Sequence, residues 1–300
     1  MTKNHPEALS ESAAVALQSL NHAASHYENF PVASVFLPKH LREPIALIYS
    51  FARQADDFAD EGDFTIEQRL ASLNKFRDEL DLLQAYIKPQ TAFFTALGLM
   101  VKSEKLPLMP FYDLLDAFSQ DVTKIRYQNY GEVLEYCSRS ANPIGRLLLH
   151  LYQAAALKNI ALSDNICTAL QIINFLQDIA IDFKKNGGKQ RIYMCQDELL
   201  RFNVTEQQIA DYVNASAHID QNWQQFMQFN LQRVHALLTA GKPLGRILKG
   251  RIGFEMRMII AGGERIIAKI SKVKGDVFKH RPTLNYWDWL LILMKALLRI

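Results

Sequence analysis

The stretch IYSFARQADDFADEG, residues 48–62, places four acidic side chains within six residues of an otherwise apolar helical pattern. We predict a helix over residues 44–61, with Pro44 in the first turn, where proline is tolerated. One stripe of this helix, about three turns long, then carries Tyr49, Arg53, Asp56 and Asp60. Asp57 lies one position to the side. Carboxylates one turn apart are separated by roughly 6 Å, so their oxygens can reach a shared cation or cation cluster.

Two interpretations of this acidic stretch are open: a solvated helix face, or a binding site for magnesium. Mg²⁺ prefers hard oxygen ligands and is typically held by one or two carboxylates together with water and phosphate oxygens. The apolar neighbours Phe51 and Phe58 favour the magnesium site. They place Asp56 and Asp60 close to buried surface, where an unpaired carboxylate is costly.

A second stretch, LQIINFLQDIAIDFKKNGGKQRIY at residues 170–193, repeats the pattern in a more apolar setting. Its polar side chains again share one helical stripe: Gln171, Asn174, Asp178 and Asp182. A helix this apolar is mostly buried, so its aspartates should be protonated or paired with cations. Two such helices predict opposing walls of one cavity, with carboxylates that converge on magnesium and on the phosphate oxygens of a substrate.

Basic residues follow the second stripe directly: Lys184, Lys185, Lys189 and Arg191. The pair Gly187 and Gly188 predicts a loop that folds over a bound phosphate. A solvated basic loop is the alternative.

The composition limits the class of protein. The chain has 300 residues, of which 49% are hydrophobic, and a formal net charge of only +3, so a dedicated nucleic-acid binder is not expected. Its three cysteines form no C-x-x-C motif and fit a reducing, cytoplasmic location.

Glycine and proline are sparse and apolar residues recur at helical spacing, which predicts a single all-α domain over residues 1–300. No apolar run reaches 18 residues, so no membrane span is expected. The stretch WDWLLILMKALLRI, residues 287–300, is either a last core helix or a segment that lies on a membrane surface.

The two acidic motifs, together with the sequence RIY at residues 191–193, resemble the squalene/phytoene synthase family over nearly the whole chain. The resemblance implies an all-α isoprenoid synthase fold around a central cavity. It also implies Mg²⁺ as the cofactor, bound by the two aspartate motifs together with the diphosphate of a prenyl substrate. Arg53, Arg191 and Tyr193 match positions that contact that diphosphate.

The sequences at residues 26–62, 136–149 and 277–289 look like the hopanoid-associated HpnC branch, which is similar to hydroxysqualene synthases. The resemblance therefore implies that presqualene diphosphate, supplied by a partner enzyme, reacts with water to give hydroxysqualene and diphosphate in hopanoid biosynthesis. Many family members carry a tyrosine-glycine pair where this chain has Ser138-Arg139-Ser140-Ala141-Asn142-Pro143, which disfavours the full two-step squalene or phytoene reaction. The alternatives are a prenyltransferase that joins two prenyl diphosphates head to head and a non-catalytic assembly factor with the same fold.

Several further residues are candidates for shaping the cavity. Water must stay out until it is needed, and aromatic faces stabilise cations. Phe30, Phe51, Tyr49 and Phe175 are therefore lining candidates, with core packing as the alternative for each. Asn142 and Ser138 are candidates for placing the capturing water, with a capping role as the alternative. Arg281 either reaches the diphosphate from the tail or lies on the surface.

Overall fold

The computed structural model describes residues 38–188, 190–279 and 281–298, and within 185–188 it describes the backbone alone. The chain divides into two compact units. The first unit comprises the chain up to Thr123 together with Pro143–Ala156, and the second comprises Lys124–Asn142 and Leu157–Ile300. The single domain over residues 1–300 therefore stays a prediction.

The described residues are almost entirely helical, which confirms the all-α prediction. In chain order the elements are α1 (Lys39–Asp60), α2 (Ile66–Gln84), α3 (Ala92–Glu104), α4 (Met109–Thr123), β1 (Arg126–Tyr127), α5 (Tyr130–Ser140), α6 (Asn142–Leu151), α7 (Leu157–Gly188), β2 (Ile192–Cys195), α8 (Gln196–Arg201), α9 (Glu206–Val213), α10 (Gln221–Gly241), α11 (Leu244–Ile247), α12 (Gly250–Lys272) and α13 (Tyr286–Leu298). The short parallel pair of β1 with β2 was not predicted, because a two-residue strand is too short to show an alternating pattern.

The first unit packs α1 against α2 and α4. At the centre of this packing, the ring of Phe51 lies 5.0 Å from that of Phe111 and 5.6 Å from that of Phe76. Phe51 is 0% exposed, so its predicted place in the cavity lining is wrong and the core alternative is correct. The side chain belongs to the inward face of α1, one position away from the acidic stripe.

Helix α1 begins at Lys39, five residues before the predicted start, and Pro44 lies inside it. Proline removes one backbone donor from the helix interior. The surrounding positions Leu41, Ile45 and Ile48 are buried, and their packing holds the first turns in place despite the missing hydrogen bond.

The second unit is organised around α7, which has 32 residues. This helix packs against α10, α12 and α5, and β2 lies along it. Among the described residues α7 is the one helix long and apolar enough to cross a membrane, over Leu157–Lys184. Of its apolar window, 56% is buried inside the protein, as in a core helix.

Candidate active site

The acidic stripe of α1 lies at the edge of the first unit's core. Its four members are all half-buried, as the spacing predicts: Tyr49, Arg53, Asp56 and Asp60. The neighbouring positions Ala55 and Ala59 are buried at 0% and 1% exposure. The helix therefore keeps its carboxylates within reach of a small ligand while its opposite side is fixed in the core.

Arg53 is a positive charge that stabilises this acidic group. Its Nη2 lies 2.8 Å from Oδ1 of Asp57 and 3.9 Å from Oε1 of Glu61, and its Nη1 lies 3.5 Å from Oδ2 of Asp56. The sequence places Arg53 on the stripe of Asp56, yet the shortest of these three contacts is with Asp57, one helical turn further along. One guanidinium thus offsets part of the repulsion among three carboxylates and holds Asp57 in a fixed orientation.

One cavity of the first unit lies on a different side of α1. It has a volume of about 610 Å³ and is lined by Gln54 and Phe58 of α1 and by Phe76 and Phe93, among others. None of the stripe residues lines it. The aspartates of α1 and this cavity are therefore separate features of the unit.

The second polar stripe lies on α7 and is half-buried like the first. Its members are Gln171, Asn174, Asp178 and Asp182. The side chains that alternate with them, such as Ile173, Leu176 and Ile179, are 1–3% exposed. The prediction of a largely buried helix with one polar stripe is thus confirmed, while the metal and substrate roles of these residues stay predictions.

Asp178 is paired with a cation, as its apolar setting predicts. Both carboxylate oxygens accept hydrogen bonds from Arg281: Nη2 lies 3.0 Å from Oδ2, and Nε contacts Oδ1. Arg281 is an exposed residue, as the surface interpretation expects, and its side chain is engaged on a predicted magnesium ligand; a contact with the diphosphate stays a prediction. The pair joins residues 103 positions apart, which no local pattern can reveal.

The segment that carries Arg281 is fixed against its neighbours. The side-chain amide of Gln177, which is 1% exposed, donates to the backbone carbonyl of Pro282. Nζ of Lys269 donates to the carbonyl of Thr283 at 2.6 Å. These contacts tie the segment to α7 and α12 and so position the guanidinium at Asp178.

The basic stretch after Asp182 differs from the prediction. Helix α7 continues to Gly188, so the predicted loop around Gly187 and Gly188 is wrong. A glycine in a helix costs only about 1 kcal/mol relative to alanine, and the long apolar helix that precedes it tolerates that loss. Lys184 is exposed at the end of this helix. Lys189 lies outside the described residues, as does the lining candidate Phe30.

Tyr193 lies on β2 and Arg191 directly precedes this strand; the two side chains are buried, at 6% and 2% exposure respectively. Nη1 of Arg191 donates to the hydroxyl of Tyr193 at 3.1 Å, and the guanidinium lies 5.7 Å from the centre of that ring. The resemblance assigns both residues to one diphosphate. In the structure this hydrogen bond joins the two side chains, and the tyrosine hydroxyl thereby orients the guanidinium of Arg191.

Tyr193 belongs to a cluster of aromatic rings in the second unit. Its ring stacks on Phe175 of α7 with a centroid distance of 3.8 Å and an interplanar angle of 7°. Tyr127 and Tyr136 complete the cluster at 5.5 and 5.6 Å from Tyr193. Phe175 is 4% exposed, which fits the core alternative rather than an open lining position. Tyr127 and Tyr136 were not predicted, because the pairing of β1 with β2 brings distant segments together.

Asn142 and Ser138 both form hydrogen bonds within the second unit. Asn142 is 6% exposed, and its Oδ1 accepts a hydrogen bond of 3.0 Å from the hydroxyl of Thr168. Ser138 donates back to the carbonyl of Glu135 at 2.7 Å. Neither contact is a helix cap, because the first joins two side chains 26 positions apart and the second lies within α5. A role of either residue in placing water, and a substrate contact of Asn142, stay predictions.

The described residues contain no group of three or more His, Cys, Asp or Glu side chains that could hold a metal ion. Each aspartate helix instead offers a pair of carboxylates one turn apart. A pair of this kind suits a hard cation whose remaining ligands are water and phosphate oxygens. That the two helices line one cavity stays a prediction.

Comparison with known proteins adds a family assignment to this geometry. The family model for squalene/phytoene synthase matches residues 23–288. The hydroxysqualene synthase of Rhodopseudomonas palustris is 33% identical over 81% of this chain and 80% of its own length. The hydroxysqualene synthase of Sinorhizobium fredii is 33% identical over 89% of this chain and 87% of its own. The crystal structure of the squalene synthase HpnC from Alicyclobacillus acidocaldarius is 30% identical, covers 89% of this chain and 95% of that one, and superposes with a TM-score of 0.78.

Proposed function

The chain belongs to the squalene/phytoene synthase family, and we propose that it converts presqualene diphosphate and water to hydroxysqualene and diphosphate. One observation carries the diphosphate chemistry: two otherwise buried helices each present a pair of half-buried aspartates one turn apart. The hydroxysqualene synthases to which the chain is similar support the choice of product.

We propose Mg²⁺ as the cofactor. Asp56 and Asp60 of α1 and Asp178 and Asp182 of α7 would hold it, and Asp57 and Asn174 would complete the two motifs. The donor set fits, because every one of these side chains offers oxygen ligands and is half-buried. When bound, the metal would act as a Lewis acid on the diphosphate oxygens.

The chain's own cations and amides bind and orient the diphosphate in this proposal. Arg53 and Arg191 supply fixed positive charge where the leaving group gains negative charge, and the Tyr193 hydroxyl holds Arg191 in place. Gln171 and Asn174 offer amide donors on the same stripe as the aspartates, and Lys189 adds a further cation. These groups act most strongly on the leaving diphosphate, so they lower the barrier to its departure.

The reaction itself breaks one carbon–oxygen bond and forms another. Diphosphate leaves with the bonding electron pair, the cyclopropane opens in the resulting carbocation, and water adds to the cation and releases a proton. The cation must not meet water before the ring opens. Tightly packed aromatic rings such as Phe175 and Tyr193 keep water away from the neighbouring part of the site.

We place the enzyme in the cytoplasm, peripherally on the inner face of the membrane, because its product is a neutral lipid. A separate enzyme would supply presqualene diphosphate. The two alternatives, a head-to-head prenyltransferase and a non-catalytic assembly factor, predict different products from the same assay.

The test supplies purified protein and Mg²⁺ with presqualene diphosphate and, separately, with farnesyl diphosphate alone. Mass spectrometry should detect hydroxysqualene from the first substrate only. Presqualene diphosphate or a phytoene-type C30 hydrocarbon from farnesyl diphosphate, neither of which needs a reductant, would favour the prenyltransferase. No diphosphate release from either substrate would favour the assembly factor.

Two charge-removing variants test the site within that assay. Asp60→Asn and Asp178→Asn should each lower kcat by about 100-fold or more, since a metal-held leaving group contributes several kcal/mol. Asp63→Asn removes an exposed carboxylate just beyond α1 and is the matched control. If all three variants were equally active, the aspartate motifs would have no role in the reaction, and this part of the proposal would be wrong.

A further inference from the structure

Helix α13 is held to the second unit by a narrow stripe. Among its described side chains, only Asp288, Ile292 and Ala296 are buried, each at 1% exposure. They lie four residues apart on one side of the helix, which packs against α12. A helix that belongs to a protein core normally buries a wider apolar stripe than this.

The opposite side of α13 is apolar and exposed. Its members, named here the α13 apolar face, are Tyr286 (77% exposed), Trp287 (70%), Leu290 (40%), Leu291 (42%), Met294 (44%) and Leu297 (64%). At about 100° per residue they cover an arc of about 140° that points away from the buried stripe. Exposed apolar patches that are continuous in this way mark interaction sites.

The residue types on this face favour a lipid interface. Trp and Tyr are enriched where a membrane meets water, and here they occupy the start of the helix. The helix has 13 residues, which is too short to cross a bilayer that needs about 20. A short helix with one broad apolar face lies in the plane of the interface instead.

The charge of the surrounding chain indicates an anionic surface. Residues 241–300 contain thirteen Lys or Arg and four Asp or Glu, a formal net charge of +9, whereas residues 1–240 carry −6. Lys295 lies beside the α13 apolar face and is 52% exposed at its side chain, and its Nζ lies 3.4 Å from Oε2 of Glu264. Lysine at such a position can keep its alkyl chain along apolar surface while its ammonium group reaches lipid headgroups.

We propose that the α13 apolar face docks the protein on a bilayer that contains anionic lipids, with the axis of α13 parallel to the membrane plane. This docking is independent of the proposed reaction, because it requires neither a metal nor a prenyl substrate. It gives the enzyme a fixed orientation on the membrane.

The test measures binding of the full chain to phosphatidylcholine vesicles with and without phosphatidylglycerol, by flotation. The variant carries Trp287→Glu and Leu291→Glu. The matched control carries Leu157→Glu and Leu200→Glu, two apolar side chains of the same unit that are 86% and 77% exposed. Circular dichroism verifies that both variants fold.

The wild type should bind phosphatidylglycerol vesicles more tightly than phosphatidylcholine vesicles, and less tightly as salt is raised. The α13 variant should bind at least about tenfold more weakly, whereas the control should bind like the wild type. In a Trp289→Phe background the buried Trp223 also emits, and the part of the emission that comes from Trp287 should shift to shorter wavelength on binding.

Two results would overturn the docking proposal. The first is wild-type protein that does not bind either vesicle, or binding that the α13 variant leaves unchanged. The second is a wild-type dimer in solution that the α13 variant converts to a monomer, because the apolar face would then be covered by a second copy. Hydroxysqualene formation is measured separately with detergent-dispersed substrate, so failure of docking and failure of the proposed reaction are distinguishable.

Discussion

Replacing Asp288 by asparagine should loosen α13 from the second unit. The Asp288 carboxylate is buried at 1% exposure and accepts hydrogen bonds from the Asn285 backbone N–H at 2.8 Å and from Nε of Arg265 at 2.6 Å. It also forms an ion pair with Lys269. Burial by itself would raise the pKa of Asp288, but these donors outweigh it and lower the pKa from the ordinary 3.8 to about 2. The charged form is therefore the one that the fold stabilises.

The size and pH dependence of this effect follow from the pKa. A shift of one pKa unit corresponds to about 1.4 kcal/mol, so the ionised carboxylate contributes about 2–3 kcal/mol to folding at neutral pH. Because the folded-state pKa lies below that of the unfolded chain, the contribution is complete above about pH 5. It is lost as the pH falls through 3.8 toward 2, and about half remains near pH 3.

Urea denaturation of the wild type and Asp288→Asn at several pH values measures this contribution. The variant should be less stable by about 2 kcal/mol at pH 7, and the difference should shrink toward pH 3. Hydrogen exchange should show that the amide protection lost in the variant lies in α13. Asp276→Asn breaks an ion pair with Lys279, whose side chain is 59% exposed, and, as the control, should change stability by less than about 1 kcal/mol. A difference that stays constant from pH 7 to pH 3, or one no larger than that of the control, would refute the reasoning.

Three further predictions each concern one or two side chains. Arg281→Ala should strengthen Mg²⁺ binding by about twofold to fivefold in calorimetry, because the guanidinium no longer competes for Asp178; unchanged or weaker binding would contradict this competition. Phe175→Leu should lower the free energy of unfolding by about 1–2 kcal/mol, since it removes the ring stacked on Tyr193; a stability equal to that of the wild type would show that the stack contributes nothing. Burial raises the pKa of the Cys137 and Cys195 thiols to about 12. Both thiols should therefore react with a thiol reagent at pH 8 only after unfolding. Rapid labelling of either thiol in the folded protein would show that it is neither buried nor protonated and would refute this prediction.

The sequence predicts well those features that depend on one helix at a time. The stripes on α1 and α7 are visible because helical spacing fixes which side chains share a face, and the exposure of Asp56, Asp60, Asp178 and Asp182 agrees with that spacing. Helix limits are less well predicted. Helix α1 starts before Pro44, and α7 extends through Gly188, because packing of the apolar sides outweighs the local preferences of proline and glycine.

Partners from distant parts of the chain were not predictable. Arg281 reaches Asp178 across 103 positions, and the pairing of β1 with β2 brings Tyr127 onto Tyr193. Neither contact leaves a periodic signal, since each depends on how whole elements pack. The placement of Phe51 illustrates the same limit, because an aromatic residue next to an acidic stripe can belong to a site or to the core, and only its neighbours decide between them.

The most direct test of the proposed function is a single-turnover reaction of the purified protein with presqualene diphosphate in the presence and absence of Mg²⁺, carried out in ¹⁸O-labelled water. We predict magnesium-dependent release of diphosphate together with hydroxysqualene that carries one ¹⁸O atom. Label-free product, product formed equally well after complete removal of divalent cations, or turnover of farnesyl diphosphate alone to a C30 hydrocarbon would contradict the account.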